Sequence, residues 1–432
     1  MFWTLVLLAT LVRGSNAIVY DVGLGHDSRS HGQYLTAVLH GERIRNRVEY
    51  CLPQSYLWTA IHGWAMWPVL HNDEPRLQHV ALALGNLHLY GWMLLGLLAL
   101  ARTVGLSGSA RAAFVALTVT SPVVQRSLDM LRPENLILAF FPWVLAGAFR
   151  IARQLPERLP DWRTATSFAA LLALVFTEKI GGFSIVLALA AGLLFLGRVS
   201  LRRKFLALVL LGAATTAVAT PLFVAHRVLV GRWFFQHPTF TDRRLGHAYD
   251  HRAPGSFYWP VRLRHIWEHP LREEQRGSMW GILLADLHGD YWQYGVQHKR
   301  FHITRANRLS RQHEGLVATA VFLALLVMSI ILLSRRARAG PDTPTARAVL
   351  GQFFLQVGGA LAYMALTCQI GFEPLTANLI KWEYVSWCIP ITMLVIATAT
   401  PRCRDGRSAL PLLALIGGLS LFGLYQSLLI PQ

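Results

Sequence analysis

Apolar stretches long enough to cross a bilayer recur along this chain, and they limit what it can fold into. A hydrocarbon core about 30 Å thick requires about 20 mostly apolar residues in helical form. Lipid offers no partner for loose backbone polar groups, so helices are the expected answer for runs of this length. Val80 to Ala101 is the first unambiguous run, and 135–149, 205–224, 316–333, 349–370, 382–398 and 410–430 follow it. Shorter apolar segments begin at Ala112, Ser167 and Gly182. Phe2 to Val12 forms another, which Arg13 interrupts and Ile18 to Tyr20 resumes. It reads either as a first membrane helix or as a signal peptide, because Ser15-Asn16-Ala17 has a small-x-small pattern but no basic region precedes it. The expected fold is therefore all-α and polytopic, with about eleven transmembrane helices.

Composition agrees. Charged residues make up 15% of the 432, against about a quarter in soluble proteins. A net charge of +18 would suggest nucleic acid in a soluble chain. Here the basic residues gather in alternate short loops (Arg102/Arg111, Arg150 to Arg163, Arg198 to Lys204, Arg335 to Arg347 and Arg402 to Arg407), which marks those loops as cytoplasmic. No nucleic-acid module stands out. The four cysteines are scattered without CxxC spacing, so neither a disulfide framework nor a zinc site is expected.

With that orientation the other connections lie on the external face, and the conspicuous acids fall there. The chain divides into a first helix or signal peptide (1–20), an external loop with interfacial helices (21–79), a transmembrane bundle (80–225), a long external loop (226–314) and a C-terminal bundle (315–432). Tyr56, Leu57, Trp58, Ile61, Trp64, Trp67 and Leu70 recur at helical spacing, which predicts an amphipathic helix at headgroup depth. An ionisable residue at such a boundary is a functional candidate by default. Asp27, within Gly25-His26-Asp27-Ser28-Arg29-Ser30-His31-Gly32-Gln33-Tyr34, is the foremost. As a carboxylate it suits a general base; it equally suits a cap for the helix expected near Ser30. His26, Asp27 and His31 together also offer a metal-type donor set.

The spacing of Asp27, His31 and Tyr34 after a first helix resembles the Asp-Glu-x-x-His-x-x-Tyr pattern of GT-C-type membrane glycosyltransferases. That class includes the protein O-mannosyltransferases and the lipid A aminoarabinose transferases. This sequence departs from the pattern at Ser28, where the family has Glu. Leu131-Arg132-Pro133-Glu134-Asn135 is similar to the R/N-P-E/D segment after the family's third helix. Asp286-Leu287-His288-Gly289-Asp290-Tyr291-Trp292 resembles an Asp-x-x-Gly-Asp-Tyr-Trp segment of the long loop in bacterial members. Lys381-Trp382-Glu383-Tyr384 with Pro390 resembles the Lys/Arg-x-x-Tyr…Pro signature that opens a late helix.

The resemblance implies sugar transfer from a polyprenyl-phosphate donor to a hydroxyl of a protein, lipid or glycan, by inversion on the external face. Asp27 would be the catalytic base. His31, Tyr34, Glu134, Asp286 and Asp290 would bind acceptor or sugar. Arg132, Lys179 and Lys381, each at the external end of a helix, would hold the departing phosphate. The likeness also implies the plasma membrane of a bacterium, with the site facing periplasm or exterior. Divalent-metal dependence stays open, because enzymes of the class differ on it. The competing expectation, kept alive by Ser28, is a non-catalytic polytopic protein or lipid-linked-glycan transporter on a similar fold. Transporters of that kind carry inverted repeats and broken helices, and none is visible in the sequence.

Overall fold

The fold was read from a computed structural model that describes residues 1–20, 28–40, 56–71, 74–177, 181–195, 199–230, 253–271, 278–289, 305–339, 343–370, 381–400 and 410–428. Asp27, Lys179 and Asp290 lie outside these. Among the described residues the regular structure is entirely helical. Seven helices are long and apolar enough to cross a membrane, and four shorter apolar helices accompany them. The long set is α1 (Phe2–Val19), α4 (Pro75–Val104), α7 (Glu134–Gln154), α10 (Leu201–Val230), α14 (Arg305–Ala339), α15 (Thr343–Ile370) and α17 (Leu410–Ser427). The short set is α5 (Gly108–Val119), α8 (Trp162–Phe176), α9 (Gly181–Leu194) and α16 (Cys388–Ala399). Seven and four agree with the expected number of spans. The remaining elements are α2 (Ser28–Leu39), α3 (Tyr56–Met66), α6 (Pro122–Asp129), α11 (Gly255–Tyr258), α12 (Leu263–Glu268), α13 (Met279–His288) and two 3-10 turns, Trp67–Val69 and Trp382–Val385.

Local chemistry sets where these helices stop and how closely they approach. At the C-terminal end of α4, Gly105 takes φ +79°, a left-handed conformation that favours glycine, and its N–H bonds back to Ala101 and Arg102. Arg102 in the last turn complements the helix dipole. Farther up, α4 and α7 pack together at Gly96, where a Cβ would meet the Trp143 ring at 2.7 Å. The Trp143 indole N–H donates to the Trp92 carbonyl at 2.9 Å, which fixes the ring in that slot. In α3, Trp64 and Trp67 beside it are 74% and 70% exposed, as expected for an interfacial helix. Trp58 departs from that expectation: it is fully buried, for a reason given below.

Arg13 does not interrupt the first helix; α1 runs straight through it. The guanidinium is fully buried and paired with Asp129 at the end of α6. Asn16, one turn along α1, donates to the other Asp129 oxygen at 3.2 Å and to the Ser427 carbonyl of α17 at 2.9 Å. One buried polar cluster therefore joins α1, α6 and α17. A charge removed from water needs such a partner, and loss of one member costs far more than loss of both. We expect Asp129→Ala to destabilise the protein by about 3–5 kcal/mol, whereas Arg13→Met combined with Asp129→Leu recovers most of that loss. Thermal loss of the monodisperse species in detergent, measured for the single and double variants, tests this; equal losses would refute it.

Candidate functional site

The connection at 130–135, between α6 and α7, is held from several sides by buried side chains. Asn86 of α4 and Asn135 of α7 both donate to the Met130 carbonyl, at 3.0 and 2.8 Å. The buried Trp58 indole donates to the Arg132 carbonyl at 3.0 Å, which draws this tryptophan inward while Trp64 and Trp67 stay exposed. His62, one turn after Trp58, stands 2.9 Å from the Trp58 carbonyl and 3.1 Å from Asn86 Oδ1. A neutral imidazole has one N–H to offer those two oxygens. Burial lowers the His62 pKa to about 4 and so keeps the ring neutral.

Helix α2 starts at the residue after Asp27 and closes the same region. His31 and Tyr34 are both buried. The His31 ring lies 6.2 Å from that of Trp58, edge to face. A Cβ on Gly32 would sit 3.6 Å from Leu131 Cδ2, so α2 rests directly on the 130–135 connection. Arg132 and Glu134 are buried within it. Glu134 is the first residue of α7, where a carboxylate meets the positive end of the dipole.

A second junction adjoins the first through α6. Arg126 donates to the carbonyls of Gly289 and Asp286, the latter at 2.6 Å, and to Asp286 Oδ1 at 3.3 Å. It thereby satisfies carbonyls at the end of α13 that have no partner inside the helix. The other Asp286 oxygen accepts from the Trp382 backbone N–H at 3.2 Å, and the Trp382 indole donates to the Leu283 carbonyl at 2.7 Å. Asp286 is fully buried, so its carboxylate is turned toward protein groups rather than toward an open cleft. Lys381, beside Trp382, is fully buried as well. His288 is held 3.2 Å from Thr319 Oγ1, and burial, with Arg126 nearby, lowers its pKa to about 3.

All four sequence stretches singled out above therefore meet at one end of the bundle: α2, the 131–135 segment, α13 and the turn after Lys381. Among the described residues, the buried Ser127 Oγ, Asn135 Oδ1, Ser386 Oγ and Trp387 indole nitrogen have no hydrogen-bond partner. Among the described residues no three His, Cys, Asp or Glu side chains cluster as metal ligands. His26 and Asp27 are not among those residues, so the trio with His31 is not described here. Sequence reasoning missed Arg126, Trp58, His62, Asn86 and Asn135. A polar side chain inside an apolar run, as Asn86 is, was the available signal.

No protein-family model and no curated protein matches this chain. Among solved structures, the fold is similar to ArnT from Cupriavidus metallidurans bound to undecaprenyl phosphate, at 13% identity over 92% of this chain and 76% of that one, with TM-score 0.41. It is also similar to the apo oligosaccharyltransferase of Archaeoglobus fulgidus, at 11% identity over 99% of this chain, with TM-score 0.47. This chain spans 56% of the length of that archaeal protein.

The buried histidines make stability pH-dependent. Between about pH 4 and the ordinary histidine value of 6.5, the unfolded chain binds a proton at position 62 that the folded chain refuses. Stability is therefore complete above 6.5 and is lost as pH falls toward 4, by on the order of 3 kcal/mol from His62 alone. His288 acts in the same direction over a wider range. Thermal unfolding followed from pH 7.5 to 4.5 should show this decline, shallower in His62→Gln. A flat profile would contradict it.

Proposed function

We propose that this protein is a membrane glycosyltransferase that moves a sugar from a polyprenyl-phosphate-linked donor to a hydroxyl acceptor on the external face. The observation that carries the reading is the convergence of the four motif stretches. They are spread along the chain from Gly25 to Tyr384, yet they are linked by the Gly32–Leu131 approach, the Trp58–Arg132 bond, and the Arg126–Asp286–Trp382 chain. A set of unrelated local features has no reason to share one end of a bundle.

The chemistry assigned to this site is inverting displacement. Asp27 accepts the proton of the acceptor hydroxyl while its oxygen bonds to the anomeric carbon from the face opposite the phosphate. The bond from that carbon to the phosphate oxygen breaks, and the electron pair leaves with the polyprenyl phosphate. Negative charge thus grows on the phosphate, and Arg132, Lys179 and Lys381 are the cations proposed to hold it. Buried cations such as Arg132 and Lys381 suit the role, because a fixed charge away from water stabilises a developing anion more strongly than one in solution.

Sugar and acceptor contacts are assigned to His31, Tyr34, Glu134 and Asp290. Asp286 we assign a positioning role, since its carboxylate engages Arg126 and the Trp382 amide. The partnerless Ser386 hydroxyl and Trp387 indole near Lys381 offer further hydrogen bonds to a polar ligand. A bacterial plasma-membrane location, with the site facing periplasm or exterior, belongs to this proposal too.

Transfer of label from radiolabelled polyprenyl-phosphate sugars to a cell-envelope acceptor tests it, using purified protein in detergent. The wild type should transfer, and Asp27→Asn should lose about 10²–10⁴ in rate while remaining folded. Full activity in that variant would sink the assignment of the base. Absence of transfer by the wild type with every donor and acceptor fraction supplied would favour the non-catalytic alternative.

A further inference from the structure

Residues 253–271 of the long external loop fold into two short helices with sharply divided faces. Ala253, Phe257, Ile266 and Leu271 are buried against the protein. On the other side Trp259, Val261, Leu263 and Trp267 are 82%, 51%, 66% and 51% exposed, with Arg262 and Arg264 exposed among them. Exposed apolar side chains interleaved with arginines, two of them indoles, are the composition of a membrane-interface surface.

The attachment points fix the height of this surface. The Ala253 N–H donates to the Cys368 carbonyl at 3.2 Å, and Gln369 Nε2 donates to the Ala253 carbonyl at 3.1 Å and to the Tyr258 hydroxyl at 2.6 Å. Cys368 and Gln369 end the span of α15. On the neighbouring side His313 Nε2 lies 2.8 Å from the Trp267 carbonyl, just before the apolar part of α14 begins at Leu316. Below these two tethers the lipid-facing residues are Leu366 of α15 and Val317 of α14, 59% and 51% exposed. The exposed apolar patch of the loop thus continues the lipid-facing surface upward by about one helical turn.

We infer that residues 254–271 lie on the bilayer, with Trp259, Leu263 and Trp267 inserted among the headgroups and Arg262 reaching the phosphates of the leaflet opposite the basic loops, while Arg264 keeps its pair with Glu268 at 2.7 Å. The occupant of this face is the lipid surface, because the patch adjoins the exposed apolar sides of two helices long and apolar enough to cross a membrane. The anchor also bears on the candidate site. Ser278, the N-cap of α13, donates to the Pro260 carbonyl at 2.5 Å, so the membrane-seated segment holds the start of the helix that carries Asp286. This inference does not depend on the proposed enzymatic activity.

The test uses the full chain in phosphatidylcholine/phosphatidylglycerol nanodiscs, with an environment-sensitive NBD label on Leu263→Cys or Trp267→Cys as the one reactive thiol. Leu263 is 66% exposed, and labelling at the 51% exposed Trp267 gives up its ring contact with His313 while the backbone bond from His313 to the Trp267 carbonyl is retained. We expect blue-shifted emission that loses most of its intensity to phospholipids spin-labelled near the headgroup. Acyl-end spin labels should quench less and aqueous iodide barely at all. Label on Arg158→Cys, exposed in a cytoplasmic loop, should show the reverse pattern. Iodide quenching at 263 and 267 without lipid quenching would overturn the inference. So would shielding from both quenchers with self-quenching between labels, which would mean that a second copy of the chain covers the face.

Discussion

A guanidinium held out of water is the constraint on which this bundle depends. Arg13 lies inside the first helix, and a buried charge there is tolerable only with an acid at hydrogen-bonding distance. Asp129 supplies it from a short helix that spans nothing itself. Asn16 then uses the remaining carboxylate oxygen and reaches the last carbonyls of α17. The cluster closes the helix array by connecting its first, middle and last parts. Hydrophobic burial could not do this alone, because lipid tails are as apolar as leucine and give helices little reason to prefer each other.

The helix that carries Asp129 also carries Arg126, three residues earlier and therefore nearly on the same face. Arg126 binds the end of α13 and the Asp286 carboxylate, and Asp286 in turn binds the Trp382 amide. Immediately after α6 the chain enters the connection that Trp58, Asn86 and Asn135 grip by its carbonyls. The buried Arg13 and the buried Asp286 are thus both bonded directly to this single short helix. Its own sequence explains its placement: Pro122 starts it, and apolar Val123, Val124 and Leu128 are buried alongside the polar residues, so it is enclosed on all sides.

Much of the fold was legible from sequence because lipid imposes a strict rule on length and polarity, and among the described residues six long helices after the first obey it plainly. The first run was harder. Arg13 read as an interruption, since sequence gives no view of the acid 116 residues away that makes it tolerable. The candidate site was legible in outline through motif resemblance, and its convergence needed three dimensions. Asp286 illustrates what residue type alone leaves undetermined. Its residue type suggests a ligand contact, whereas in the fold it is buried and accepts from Arg126 and the Trp382 amide. Trp58 is the counterpart among aromatics. Its spacing matched that of the interfacial tryptophans, and only the Arg132 carbonyl at 3.0 Å explains why it turned inward.

The Arg13–Asp129 pair also has a meaning for biogenesis. Arg13 leaves the ribosome long before Asp129 does, and an arginine near the middle of an inserting helix opposes entry by about 3 kcal/mol on the translocon scale. Until α6 is made, Asp129 is not there to pair with Arg13, so α1 alone carries that cost. The bond from Asn16 to Ser427 bridges 411 residues, so the polar lock is complete only when α17 has been made. Insertion of the first helix is in this sense finished by the last.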